Sequence, residues 1–231
     1  MKAKRTYRYL LTLLCCVFAT SMEAKRWVHV QFQPSFENKQ LYLNTRYRTS
    51  LGDSIQLNTF RWYISNLQFI RQDQVVFNYP KQAILMDLSD RSSLHFVFAI
   101  EDTVQFDKLQ FGLGVDSVTN DAGIHGGDLD PTKGMYWAWQ SGYINTMIKG
   151  QFTLSSKPLK EFEFHLGGFM APFNAYQRVS LPACSHDKLT IQWDLDSWFS
   201  SPVFIQHDRI MSPRIEAVQM SEFLASQFSC R

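Results

Sequence analysis

The chain has 231 residues, a formal net charge of +2 and a hydrophobic content of 45%. Its length suits a single domain with a core large enough to need no metal or disulfide for folding. Residues 1–24 carry four basic groups and one acid, so the rest of the chain is near −1 (+2 minus +3). Such a chain lacks the basic surface that attracts nucleic acid or an acidic membrane over a distance.

Residues 1–24 are organised like a secretory signal peptide. A basic start precedes the apolar run YLLTLLCCVFATSM, which is too short for a comfortable bilayer span, and Ala24 is a small residue before KRW. A retained membrane anchor is the alternative, but charge resumes at Glu23. We therefore expect cleavage after Ala24 and a periplasmic or secreted protein.

From residue 25 onward, short strand patterns alternate with turn residues. The segments are WVHVQFQP, SIQLNTFRWYISNLQFI, VVFNY, AILMDL, LHFVFAI and FDKLQFGLGV. Two later segments, EFEFHLGG and KLTIQWDL, place alternate apolar side chains on one face. These patterns, without a linker or an internal repeat, predict one domain over residues 25–231. Its fold class is all-β, an antiparallel β-sandwich with a C-terminal helix.

The predicted helix starts near Ser212, which can cap it, with Pro213 in the first helical position. The apolar stripe that supports this helix consists of Ala217, Met220, Leu224 and Phe228.

Two cysteines, Cys184 and Cys230, follow the signal segment. An even pair in an oxidising compartment favours a disulfide, here one that ties the last helix to the sheet. The sequence has no nucleophile elbow, no phosphate-binding glycine loop and no H-E-x-x-H pattern. We therefore expect a binding protein and not an enzyme.

The segment from Gly114 to Tyr143 joins carboxylates, amides and His125 to an aromatic run. These oxygen donors suit calcium, but their spacing does not match the helix–loop–helix pattern, and Asp and Asn also stabilise turns. We expect turn use for most of them. Strand alternation would place Trp137 and Trp139 on one face, either in the core, which we favour, or as walls of a site.

The chain has six histidines, and no two are spaced as a ligand pair. His165 is the most informative, because strand alternation places it opposite an apolar face and just before two glycines. The alternative role for His165, and for His29 on its own strand, is a hydrogen bond to a backbone carbonyl.

Four segments, taken in order, resemble the MbnP-like family of secreted, copper-associated proteins typified by a methanobactin-operon member. They are FRWYISNLQF, the run from FGLGVDSVTN to GMYWAWQSGYINTMIKG, FEFHLGG and IMSPRIEA. The resemblance covers almost the whole chain after the signal segment. It implies a periplasmic β-sandwich that binds copper, often with a di-haem peroxidase-like partner. In some members, a tryptophan oxidised to kynurenine joins histidines around Cu(I).

The chain departs from the family at two ligand segments. Relatives carry a W-x-H-like segment after the SNLQF-type strand, where this chain has VVFNYPKQAILMDL, without Trp or His. Relatives often have F-x-H on the first strand, where this chain has Phe32-Gln33-Pro34. The kynurenine site is therefore not transferable, and among the histidines only His165 falls on a matching motif.

Two hypotheses follow. The first is copper binding or trafficking centred on His165, with His125 or His207 as a second imidazole and Met135 or Met170 as a candidate thioether ligand. The second is a metal-free interaction module that uses the region around Trp137 and Trp139.

Overall fold

The computed structural model describes residues 24–140, 142–153 and 160–231. Residues 1–23 of the expected signal segment lie outside this range. Within these residues, the elements are two β-sheets, four short helices and three 3₁₀ turns. The strands are β1 (Lys25–Phe36), β2 (Lys39–Gln40), β3 (Arg46–Arg48), β4 (Ser54–Arg71), β5 (Gln74–Asn78), β6 (Ala83–Asp87), β7 (His95–Glu101), β8 (Lys108–Leu113), β9 (Ile144–Thr153), β10 (Lys160–Gly167), β11 (Gln177–Pro182), β12 (Lys188–Asp194), β13 (Arg209–Ile210) and β14 (Phe228–Cys230). The helices are α1 (Ser117–Asp121), α2 (Asp196–Phe199), α3 (Pro202–Gln206) and α4 (Ile215–Ser226).

The smaller sheet is built around the first strand. Its order is β14-β12-β1-β2, with β7 also paired to β1. The β1–β12 ladder is parallel and joins residues about 160 positions apart, whereas β7 pairs with β1 antiparallel. Apart from the short pairing with β2 at its end, β1 is therefore paired on both edges with segments from much later in the chain.

The larger sheet is built around β4, which is 18 residues long. Its order is β11-β8-β4-β9-β10-β13, and the short strands β3, β5 and β6 also pair with β4. All ladders in this sheet are antiparallel except β10–β13. The prediction of a β-sandwich is confirmed, although two parallel ladders interrupt its antiparallel pairing.

The main core lies between the two sheets and is rich in aromatic rings. Phe32 of β1 meets Phe111 of β8 at a centroid distance of 5.4 Å, and Trp193 of β12 meets Phe60 of β4 at 5.0 Å. The predicted inward faces are confirmed, since Phe162, Phe164 and Leu166 of β10 all belong to this core. The opposite face of β10, which carries His165, is therefore turned away from the main core.

The C-terminal helix is present but begins later than predicted. Helix α4 starts at Ile215 after Arg214 in the cap position, and no side chain caps it. The predicted start at Ser212 and Pro213 is wrong, because these residues lie in the connection before the helix. Phe228 does not continue the helical stripe either, since it belongs to β14 and packs on Trp193 with ring centroids 4.3 Å apart. In the described ranges, no helix is long and apolar enough to cross a membrane.

The predicted disulfide between Cys184 and Cys230 is confirmed, with the two Cα atoms 5.5 Å apart. Cys230 ends β14 in the smaller sheet, and Cys184 follows β11 of the larger sheet by two residues. The bond therefore links the two layers of the sandwich, in addition to holding the segment after α4.

Candidate metal centre

The polar side chains of the 114–143 segment hold the segment itself in place. Asp116 caps α1 by accepting from the Thr119 N–H, and Asn120 accepts from the Tyr143 N–H at 2.9 Å. The Asn120 amide also donates to the Val115 carbonyl, and the Asn145 side chain accepts from the Val115 N–H. The turn role expected for these oxygen donors is confirmed. The calcium alternative gains no support, because the same oxygens are engaged in hydrogen bonds to the protein.

This segment forms a second, smaller core on the outer face of the larger sheet. The members of this outer core are Tyr63, Ala83, Leu85, Val115, Leu129, Met135, Trp137, Tyr143, Ile144 and Met147. Trp137 is buried as expected, but Trp139 is 66% exposed. The strand alternation assumed for these two residues is wrong, because residues 138–140 form a turn.

His165 lies beside the outer core and is only 7% exposed. Among the described residues, none forms a hydrogen bond of good geometry with either ring nitrogen. Its Nε2 is 3.3 Å from Oε1 of Glu163, which is within ion-pair distance but does not meet hydrogen-bond geometry. The backbone-carbonyl role considered from the sequence is therefore not the one that His165 has. The Nδ1 of this buried imidazole therefore has no hydrogen-bond partner, whereas Nε2 faces the Glu163 carboxylate.

Burial keeps the imidazole of His165 neutral. Burial first, and then the Lys149 ammonium group, lower the pKa of His165 from its ordinary 6.5 to about 4. Glu163 acts in the opposite direction, but its carboxylate is also engaged by Lys149 at 2.6 Å and by Arg209 at 3.5 Å. A neutral imidazole is the form that binds a metal, because the lone pair is free.

Met147 supplies a second donor atom next to His165. The two residues are direct partners in the antiparallel β9–β10 ladder, so their side chains leave the same face of the sheet. Directly opposed residues in such a ladder have Cβ atoms about 5 Å apart. Met147 is buried and belongs to the outer core. The pair therefore offers one imidazole nitrogen and one thioether sulfur, a combination suited to Cu(I).

The other predicted ligands lie in different surroundings. The His125 ring contacts the Thr119 carbonyl through Nε2 at 3.1 Å, and its backbone N–H donates to the Tyr143 hydroxyl. His207 follows α3 as its C-terminal cap. Within the described ranges, no group of three or more His, Cys, Asp or Glu residues is placed to hold a metal ion. The structure therefore does not assemble His165, His125 and His207 into one ligand set.

The predicted thioether ligands Met135 and Met170 also differ in position. Met135 is fully buried in the outer core, whereas Met170 is 64% exposed on the segment after β10. The alternation of residues along one strand could not identify Met147, because its relation to His165 depends on the register between two strands.

Sequence reasoning also did not identify a histidine pair on the smaller sheet. His29 of β1 and His95 of β7 lie side by side, with His29 Nδ1 3.4 Å from His95 Nε2. The residues are 66 positions apart. Alternation indicated the face of His29, but no sequence pattern connects it with His95.

This sequence lacks the F-x-H and W-x-H ligand segments of its relatives. At the corresponding positions, the structure offers no other imidazole. Pro34 is buried in β1 and pairs with Trp193 in the β1–β12 ladder. The segment at residues 75–88 contributes β5 and β6, two short strands paired with β4. Neither place offers an imidazole, so the residues present do not fit the kynurenine-containing copper site of some relatives.

A family model and a solved structure relate the chain to known proteins. The family model of MbnP matches residues 25–215. Among solved structures, MbnP from Methylosinus trichosporium has a similar fold, with a TM-score of 0.52 and 15% sequence identity over 77% of this chain and 78% of that one. At this identity the structural likeness concerns the fold alone. No curated protein matches the sequence of this chain.

Proposed function

The chain belongs to the MbnP family, and we propose that it is an exported protein that binds Cu(I) through His165 and Met147. Family membership supports an exported, copper-associated role. The choice of residues rests on the positions of two side chains on the outer face of the larger sheet. One imidazole and one thioether together form the protein part of this proposed site.

The observation that carries the proposal is the buried imidazole of His165, whose Nδ1 has no hydrogen-bond partner among the described residues. Burying a polar group without a partner costs about 1–3 kcal/mol, so most such groups in proteins are satisfied. A bound metal ion would satisfy one nitrogen. The lowered pKa of His165 keeps that nitrogen free of a proton down to about pH 4. No deprotonation therefore opposes metal binding near neutral pH.

The second donor decides which copper oxidation state is favoured. A thioether is a soft ligand and prefers Cu(I), whereas carboxylate ligands suit harder ions. The Glu163 carboxylate near His165 is already held by Lys149 and Arg209. This arrangement leaves the His165 nitrogen and the Met147 sulfur as the donors of the proposed site. The buried position of both side chains also restricts the access of water.

The experiment is a competitive chelator titration of the exported protein with Cu(I) under anaerobic conditions. We expect one equivalent of tightly bound Cu(I) in the wild type and its loss in His165→Ala. Met147→Leu should weaken binding at least about tenfold, since it removes the sulfur and nearly preserves the volume. His207→Ala is the matched control and should bind Cu(I) like the wild type. Circular dichroism of each variant reports whether the sandwich is folded.

Equal Cu(I) uptake by the wild type and His165→Ala would contradict the proposed site. Loss of binding in His207→Ala would indicate that the predicted second imidazole takes part after all. If neither the wild type nor any variant binds Cu(I), the second candidate function is favoured.

That second candidate is a metal-free interaction module, and a surface near the outer core favours it. Trp139 and Met170 are strongly exposed, and Phe173 is partly exposed. An apolar cleft of about 240 Å³ lies between Trp137 and the 168–173 segment. Exposed apolar side chains beside an apolar cleft are typical of a protein interaction surface. For either function we propose a di-haem peroxidase-like partner, on the strength of the family resemblance alone.

A further inference from the structure

His29 and His95 form a pair on the exposed face of the smaller sheet. In the β1–β7 ladder, Gln31 is opposite His95 and His29 is opposite Val97, so the two histidines are diagonal neighbours. Residues two apart on a strand share a face, so both imidazoles leave the same side of the sheet. His95 is exposed and His29 is half-buried. The pair is therefore open to ions from solvent.

The two rings meet edge to edge. Their centroids are 5.6 Å apart and their planes differ by 17°, while His29 Nδ1 and His95 Nε2 are only 3.4 Å apart. The closest nitrogens therefore lie on the facing edges of the rings. A separation of 3.4 Å is long for a hydrogen bond. The two nitrogens nevertheless form this hydrogen bond, in which one donates and the other accepts, so an ion bound to both nitrogens would replace it.

The separation matches the span of a shared metal ion. Metal–imidazole nitrogen bonds are about 2.0–2.1 Å long, so an ion bonded to both nitrogens at this separation subtends an angle of about 110°. That angle is close to tetrahedral. Binding requires both side chains to rotate until their lone pairs point at one ion.

The backbone fixes the spacing of the two side chains before an ion arrives. β1 is paired on both sides, with β7 on one edge and β12 on the other, and the His29 N–H donates to the Asp187 carbonyl at 2.7 Å. The Asp187 carboxylate is engaged by Arg26 at 3.2 Å. The two imidazoles are therefore the ligands that the sheet presents at this position, and water can complete the coordination.

We infer that His29 and His95 form a surface site for a divalent transition-metal ion of the class that imidazole prefers, such as Zn(II) or Cu(II). The site goes beyond the proposed Cu(I) function, because it lies on the other sheet and uses no thioether. Both histidines also lie outside the segments that carry the family resemblance.

The test is calorimetric titration of the exported protein with Zn(II), which is redox-silent and has little affinity for a thioether. The wild type should bind one equivalent at this site. His29→Ala and His95→Ala should each weaken Zn(II) binding at least about tenfold, since one imidazole cannot replace two. His207→Ala is the control, because His207 caps α3 and belongs to neither proposed site, and it should bind Zn(II) like the wild type. Proton NMR should show Zn(II)-dependent shifts of both ring Cε1–H signals, from His29 and His95.

Zn(II) binding in the double variant His29→Ala/His95→Ala equal to that of the wild type would overturn the site. Loss of Zn(II) binding in His165→Ala, with the double variant unchanged, would overturn it as well. The Cu(I) site is tested with His165→Ala and Met147→Leu, and the Zn(II) site with variants of His29 and His95. Either proposal can therefore be contradicted without affecting the other. His95 is exposed and neither ring is fully buried, so the variants should keep the wild-type circular dichroism spectrum.

Discussion

Trp137 packs directly over Gly167, with no room for a side chain at position 167. A β-carbon there would lie 2.8 Å from Cζ3 and Cη2 of Trp137 and 2.7 Å from the Tyr143 carbonyl oxygen. Because Gly167 has no side chain, the segment that carries Trp137 can pack against the end of β10. Gly167 is two residues from His165. Close packing of the outer core therefore depends on the first glycine of the HLGG motif.

Gly167→Ala should lower the free energy of unfolding by about 1–3 kcal/mol, because the indole and the carbonyl must both move. Urea denaturation measures the difference. Gly126→Ala is the matched control, since a β-carbon there meets no atom within 4 Å, and it should be neutral within about 0.5 kcal/mol. Equal stabilities for the two variants would show that the segment accommodates the added methyl group.

His165 should make stability depend on acid pH. Its pKa is lowered from 6.5 to about 4 in the folded chain, so the unfolded chain binds more protons between these values. Stability should therefore rise with pH across this window and fall as the pH drops from about 6.5 to about 4. The full shift corresponds to about 3 kcal/mol. His165→Gln removes the titration and should have a flatter pH profile in urea denaturation, whereas identical profiles would contradict the assignment.

Breaking the Cys184–Cys230 bond should destabilise the sandwich. The bond spans a sequence separation of 46 residues, and a loop of that size corresponds to about 4 kcal/mol in the chain-entropy model. Chemical denaturation with and without reductant should show this difference in the wild type. The double variant Cys184→Ser/Cys230→Ser should match the reduced protein and should not respond to reductant.

Asn120→Ala should loosen the segment that covers the outer core. The side chain accepts from the Tyr143 N–H and donates to the carbonyls of Val115 and Asp116, with distances of 2.9–3.0 Å. Its removal leaves buried backbone groups unpaired, which should cost about 2–3 kcal/mol. The neighbouring exposed change Asp121→Asn should stay within about 0.5 kcal/mol. Hydrogen exchange at the Tyr143 amide should be faster in Asn120→Ala and unchanged in Asp121→Asn.

The features that could be predicted from the sequence are those that depend on a single segment of the chain. Alternation in EFEFHLGG correctly placed Phe164 in the main core and His165 on the other face. The same rule failed for Trp137 and Trp139, because a turn interrupts the strand geometry there. Local periodicity therefore described faces well wherever the backbone was extended.

The features that the sequence did not predict depend on pairing between distant segments. Met147 lies opposite His165, and His29 lies diagonal to His95, only because of the registers of two ladders. A shift of one residue in either register would turn the side chains of one strand to the other face. The start of α4 was misplaced for a different reason: Ser212 and Pro213 have the chemistry of a helix start, but they lie in the connection before Ile215.

The central position of β1 has a consequence for the order in which the molecule can form. A chain leaves the ribosome from its N-terminus, so β1 is made before either of its long ladders, at residues 95–101 and 188–194. Until β12 has been synthesised, β1 keeps at least one unpaired edge, with Val28, Val30 and Phe32 lacking most of their final contacts. An unpaired apolar strand edge is prone to aggregation. Growing chains that end before residue 188 should therefore need a chaperone to protect their first strand, whereas the larger sheet already has β4, β8, β9 and β10 in place.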